Sequence, residues 1–170
     1  MEYRGRALPP VRLPGLDFVE QTCWDEFLES SIQLFAAIDY RLKQMMGLTL
    51  AAVRLLNYLD VSNGSFRKSQ LSHALMLSPS RVGQLIRHLK PQQFVTQSAT
   101  PNDPRGIRVS ITDTGRARLE AARQIVAEEV RAHYLGGMSR HQMTMLTDSH
   151  RRINLRMQLG AMWETYKDLV

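Results

Sequence analysis

Ser78-Pro79-Ser80-Arg81-Val82-Gly83-Gln84-Leu85-Ile86-Arg87-His88-Leu89-Lys90 carries the sharpest structural signal in the chain. A Ser at the N-cap followed by Pro at the first helical position is a strong helix start, because the serine oxygen takes an orphan amide and proline lacks the donor that would go unused. The helix runs to about Lys90 and stops before Pro91. Val82, Leu85, Ile86 and Leu89 form one apolar stripe. The opposite face offers Ser80, Arg81, Gln84, Arg87 and His88, with no acidic residue between Ser78 and Lys90. Gly83 lacks a side chain, which permits close backbone approach at a cost in helix propensity. Just upstream, Lys68 to Met76 reads as a short helix with Leu71, Ala74 and Leu75 inward, and Leu77-Ser78-Pro79 is the tight turn between the two.

Downstream, Phe94-Val95-Thr96-Gln97-Ser98 reads as a strand, Thr100 to Gly106 as a loop of turn formers, and Ile107-Arg108-Val109-Ser110-Ile111 as a half-buried strand. The two strands make a hairpin with Arg105 in its loop and Arg108 on the returning strand. An acid-free helix face suits a phosphate-lined groove, in which Arg grips a guanine edge with two bonds and Gln reads adenine. Taken alone, the helix reads first as a solvated amphipathic helix with ordinary polar residues. The basic hairpin beside it favours a wing that tracks a nucleic-acid backbone. The candidate contacts are Lys68, Ser78, Ser80, Arg81, Gln84, Arg87, Asp103, Arg105 and Arg108.

Working outward, residues 1–16 read as an extended arm in which Pro9, Pro10 and Pro14 prevent helix and Arg4, Arg6 and Arg12 add charge. From Asp17 to Met46, Phe18, Trp24, Phe27, Leu28, Ile32, Phe35, Ile38 and Leu42 recur at helical spacing, and Gly47 ends the run. Thr49 caps a helix from Leu50 to about Asp60, followed by the turn Ser62-Asn63-Gly64-Ser65. Thr112 caps a long helix to about Leu135, broken by Gly136-Gly137. Ser139-Arg140-His141-Gln142 opens a last helical region to about Leu169, which Gly160 kinks or divides. Leu119, Ala122, Val126, Val130 and His133, then Met143, Leu146, Ile153, Met157, Met162, Trp163, Tyr166 and Leu169, repeat at helical spacing. A winged helix of about 60 residues cannot cover so much apolar surface, and a second copy would. The expected fold is therefore mainly α with a small β-hairpin wing: a winged helix-turn-helix over 49–111, flanked by dimerisation helices over 17–48 and 112–170.

Asn102-Asp103-Pro104-Arg105-Gly106-Ile107-Arg108-Val109-Ser110-Ile111-Thr112-Asp113-Thr114-Gly115 resembles the wing signature of the MarR family of winged-helix regulators, and Ser78-Pro79-Ser80-Arg81-Val82 resembles the start of that family's recognition helix. The resemblance implies a homodimeric DNA-binding transcriptional regulator, a repressor on a pseudo-palindromic duplex site. It implies that Arg105 enters the minor groove, that Asp103 holds the wing, and that Ser80, Arg81 and Gln84 face the major groove. It also implies release by a small, typically phenolic molecule, with Trp24, Phe27, Met45 and Met46 as wall residues; the plainer reading makes them core or interface. Cys23 sits where the family's peroxide-sensing branch keeps its cysteine, although lone cysteines are more often inert. The chain departs from the family pattern at Gln93, where glycine is usual, at Gln97, where arginine is frequent, and along Lys90-Pro91-Gln92-Gln93.

The whole chain fits these expectations. Its 170 residues carry 22 Lys and Arg against 16 Asp and Glu, a formal charge of +6 that draws polyanions without separating DNA from RNA or acidic lipid. One cysteine excludes an internal disulfide and makes a thiolate zinc site untenable. The five histidines lack metal-ligand spacing, so no metal or cofactor is expected. No secretory segment and no membrane-length apolar run is present, which points to a cytoplasmic protein without a membrane partner. Without a Gly-rich phosphate loop, nucleophile elbow or H-E-x-x-H motif, an enzyme is not expected. Two other readings stay open: a sequence-tolerant DNA-compacting protein, and a winged helix turned to protein–protein contact.

Overall fold

The computed structural model describes residues 12–100 and 103–167, with the backbone alone described for 100, 103–106 and 159–167. Most of the expected N-terminal arm therefore lies outside the described residues, as do Met162, Trp163, Tyr166 and Leu169 as side chains. The chain divides into two compact units, Met1–Glu129 and Val130–Val170.

In the first unit, α1 spans Phe18–Met46. Its start is set by a reciprocal capping box: the Asp17 carboxylate accepts from the Glu20 amide, and the Glu20 carboxylate accepts from the Asp17 amide, both at 2.9 Å. Gly47 ends it in the left-handed region at φ 66°, as expected for a C-terminal glycine. Helix α2, Leu50–Val61, is capped twice. Thr49 Oγ1 accepts from the Ala52 amide at 3.2 Å, and Asp39 of α1 accepts from the Leu50 amide at 2.6 Å. A two-residue strand β1, Phe66–Arg67, leads into α3, Lys68–Leu75, and then α4, Pro79–Leu89. Strands β2, Val95–Thr100, and β3, Asp103–Ile111, precede α5, Asp113–Val130.

The core of this unit is mostly leucine. Leu42, Leu48, Leu55, Leu56, Leu59, Leu71, Leu89 and Leu119 are fully buried, joined by Val82 and Val109. The stripe expected on α4 is the one that is buried: Val82, Leu85, Ile86 and Leu89 all face inward. Each such side chain contributes about 1.5–3 kcal/mol by leaving water. Helix α5 is tied to α2 by ions as well as by Leu119. Asp60 receives Arg116 at 2.5 Å and Arg123 at 2.8 Å. These two guanidiniums, Arg123 first, hold the Asp60 carboxyl below its ordinary value of 3.8, and Asp60 in turn raises Arg123.

The sheet has the order β1-β3-β2 and is antiparallel throughout. Val95 pairs with Ile111, Gln97 with Val109 and Ala99 with Ile107. The structure departs from the sequence reading at several points. The hairpin loop was expected from Thr100 to Gly106, but β3 begins at Asp103, and a register irregularity at Ala99/Thr100 absorbs the extra residues. Strand β1 carries too few residues to show alternation. It forms because Phe66 packs edge-on to Tyr58 of α2 at 5.1 Å and pairs with Val109. Finally, the helix expected from Thr112 to Leu135 is α-helical only to Val130; Arg131–Leu135 is one turn of π-helix.

The second unit holds that π-turn and α6, Arg140–Lys167, which opens on the expected box: the Gln142 amide donates to Ser139 Oγ, and the Ser139 amide donates to Gln142 Oε1. Helix α6 is continuous through Gly160. Among the described residues, no helix is long and apolar enough to cross a membrane.

Candidate nucleic-acid interface

Helices α3 and α4 meet through a turn whose geometry is set residue by residue. Met76 ends α3 in the left-handed region at φ 54°, with its amide bonded to His73 O and the Leu77 amide bonded to Ser72 O. That is the double closure normally built on glycine. Ser78 Oγ then accepts from the Arg81 amide at 3.2 Å, and Pro79 occupies the first position of α4. With the apolar stripe buried, Ser80, Arg81, Gln84, Arg87 and His88 are exposed. Arg81 donates to Gln84 Oε1 at 3.3 Å, one turn further along. The two side chains expected to read bases are thus held side by side on the open face. His88 is drawn away, its ring nitrogen bonding to Gly47 O at 3.0 Å.

The far end of α4 accounts for the departures from the family pattern. Gln93 takes φ 59°, the conformation that the usual glycine supplies without strain. The Gln93 amide donates to Lys90 O and the Phe94 amide to Leu89 O, so Lys90-Pro91-Gln92-Gln93 closes as a helix-ending turn. Thr112 locks this turn to α5. Its hydroxyl donates to Gln93 O at 2.5 Å, accepts from the Gly115 amide at 3.0 Å, and its own amide donates to Phe94 O. Gly115 is required there, because a Cβ would fall 2.1 Å from Phe94 O.

The wing residues divide. The backbones of Asp103 and Arg105 belong to β3, and their side chains lie outside the described residues. Arg108 is half-buried and donates to Ser65 O at 2.7 Å, bracing β3 against the turn before β1. Lys68 lies beside α4: a Cβ on Gly83 would sit 3.5 Å from both Lys68 Nζ and Arg87 Nη1. Lys90 and Gln97, not among the candidates, line the same cleft. A wider count would have found Lys90. From Val61 to Asn102 the sequence holds Arg67, Lys68, Arg81, Arg87 and Lys90 and no Asp or Glu.

The remaining candidates are not gathered into a site. Trp24 and Phe27 are exposed on α1 with rings 6.0 Å apart. Met45 is exposed and its sulfur accepts from Arg41 Nε, while Met46 is buried in the core. Cys23 is an exposed free thiol. Among the described residues, no three His, Cys, Asp or Glu side chains are grouped to hold a metal ion.

No protein-family model matches the chain, and no curated protein does. Solved structures do. AbsC, a MarR family transcriptional regulator from Streptomyces coelicolor, is 26% identical, with a TM-score of 0.74 over 87% of this chain and 99% of that one. The chain has the winged-helix fold of MarR family regulators. Two more distant structures share the fold. A second MarR family regulator from Streptomyces coelicolor, solved in complex with DNA, is 21% identical, with a TM-score of 0.73 over 84% of this chain and 90% of that one. CouR from Rhodococcus jostii, bound to p-coumaroyl-CoA, is 18% identical, with a TM-score of 0.65 over 77% and 90%. Against this MarR-family fold, the helix-turn-helix is α3–α4 and the wing is β2–β3.

Proposed function

We propose that this protein of MarR-family fold is a transcriptional regulator that binds duplex DNA as a homodimer through α4 and the wing. The observation that carries the reading is the face of α4. It buries every apolar side chain and leaves Ser80, Arg81 and Gln84 exposed within an acid-free segment. One neighbour in fold was solved with DNA, which supports the same use of the same elements. In this reading residues 49–111 are the DNA-binding domain, and 17–48 and 112–170 supply the dimer.

Helix α1 supports the dimer. Of its expected apolar positions only Ile38 and Leu42 are buried, while Phe18 is 83% exposed, Ile32 53% and Phe35 56% in the single chain. Covering such a face is worth several kcal/mol, and a second copy covers both faces at once. A two-fold dimer presents two α4 helices to a pseudo-palindromic site, and occlusion of a promoter makes it a repressor. Release by a small aromatic molecule belongs to the same proposal. Trp24 and Phe27 offer exposed rings for it, and CouR, similar in fold, was solved with a thioester of a phenolic acid.

Selection from randomised duplex DNA by the purified protein, followed by titration of the selected and scrambled duplexes over a range of salt, tests the reading. The expected result is an inverted repeat with half-sites about one helical turn apart, bound at least about a thousandfold more tightly than the scramble. Binding that falls with salt yet ignores sequence would make the protein a DNA-compacting factor. No binding to any duplex would turn the winged helix to protein contact.

A further inference from the structure

A cleft of about 310 Å³ opens between the start of α3, the second half of α4 and β2. Lys68, Arg87 and Lys90 converge on it from separate turns, with Gln97 on the strand side and Ile86 as an apolar wall. Among the described residues, none of these three cationic side chains has an acidic partner or a hydrogen bond. Like charges gathered without a counter-charge repel, and an oxyanion between them would reverse the sign of that interaction.

Gly83 points the same way. It lies in the interior of α4, where glycine is the poorest helix former after proline. A close neighbour cannot be the reason. A Cβ there would meet Lys68 Nζ and Arg87 Nη1 at 3.5 Å, an ordinary contact with the mobile ends of two side chains. The contrast with Gly115, which a Cβ would drive into backbone, is direct. No rigid neighbour in the folded protein needs Gly83 bare; it is buried under the flexible ends of two unpaired cationic side chains, which a bound anion could draw off it.

We propose that this cleft is a seat for a phosphate oxyanion, with Gly83 as its floor and Lys68, Arg87 and Lys90 as its charges. A guanidinium fork and two ammonium groups match phosphate, and Gln97 adds a neutral donor. Resting on the function proposed above, the phosphate is one of the DNA backbone, contacted beside the groove that the exposed face of α4 enters. A free phosphorylated molecule is the other source of the same chemistry.

The full-length protein and its Gly83→Ala and Lys68→Gln variants decide between these. Binding would be measured to the selected and the scrambled duplex at several salt concentrations, with melting temperature read in parallel. The seat predicts that Gly83→Ala melts no lower than wild type yet binds both duplexes about tenfold more weakly. Lys68→Gln should flatten the salt dependence by about one counterion. Wild-type affinity and salt slope in both variants would overturn the DNA-phosphate seat, and so would a lower melting temperature in Gly83→Ala. If wild type binds no duplex, the DNA reading fails by itself and inorganic phosphate becomes the probe. A higher melting temperature in phosphate than in chloride at equal ionic strength, lost in Lys68→Gln, would keep the seat with a free ligand; no difference would overturn it.

Discussion

Replacing Gly115 by alanine should be among the most damaging single-methyl changes in this protein. The new Cβ would lie 2.1 Å from Phe94 O and 2.9 Å from both Phe94 C and Ile111 Cγ1. Ordinary contact begins at 3.4 Å, so backbone must retreat by more than an ångström. Ile111 can turn a side chain, but Phe94 O cannot move alone. It accepts from the Thr112 amide, and the Phe94 ring is buried beneath the Arg118 guanidinium. Overpacking of this kind costs about 1–3 kcal/mol, and the strained Thr112–Phe94 bond adds about 1 kcal/mol. Alanine's better helix propensity returns at most about 1 kcal/mol, and less at this first turn. The net loss is about 2–3 kcal/mol, a large part of the ~5–15 kcal/mol that typically holds a domain together. Urea denaturation followed by far-ultraviolet circular dichroism would read it as a lower midpoint. Protein concentration must be held constant, since dimer stability depends on it. Gly83→Ala is the internal control, because the same substitution without a clash should stabilise by about 0.5–1 kcal/mol. A Gly115→Ala midpoint at or above wild type would refute the close packing of α5 on the base of the wing.

Asp60 makes stability sensitive to acid. Its carboxyl titrates below 3.8 in the folded protein, so the Arg116 and Arg123 contacts contribute fully above that value and are lost as pH falls through the lower folded one. Asp60→Asn should therefore flatten the acid limb of a stability–pH profile, and an unchanged limb would assign it to other carboxylates. Gln93→Gly should raise stability by about 1 kcal/mol, because φ 59° burdens a residue with a Cβ; a lower melting temperature would mean that the glutamine side chain holds the turn. Arg108→Gln should cost about 1–2 kcal/mol through the lost bond to Ser65 O, and unchanged stability with weaker DNA binding would make Arg108 a DNA contact instead of a brace. Phe35→Glu should yield monomers in light scattering, since it puts a charge on the exposed face of α1; a persistent dimer would place the interface elsewhere.

Local chemistry made much of this protein legible. Ser78-Pro79, the Ser139–Gln142 box, Thr49, Thr112 and Gly47 each satisfy or release backbone groups within four residues of themselves, so the helix boundaries they set could be read from residue types alone. The stripe on α4 was legible because burying one face fixes the other. The turns at Met76 and Gln93 were not, since neither residue favours the left-handed region, and only the closed hydrogen bonds around them hold it.

The sequence by itself determined the order of helices and hairpin, the exposed face of α4 and the excess of positive charge, because these follow from side-chain period, capping and composition. Tertiary structure alone decided that Phe66–Arg67 is a strand, that Arg108 braces Ser65, that Arg116 and Arg123 converge on Asp60, and that Lys68, Arg87 and Lys90 share one cleft. Each of these joins residues far apart in the chain. Periodicity describes one element at a time, and it carries no term for what the next element brings alongside.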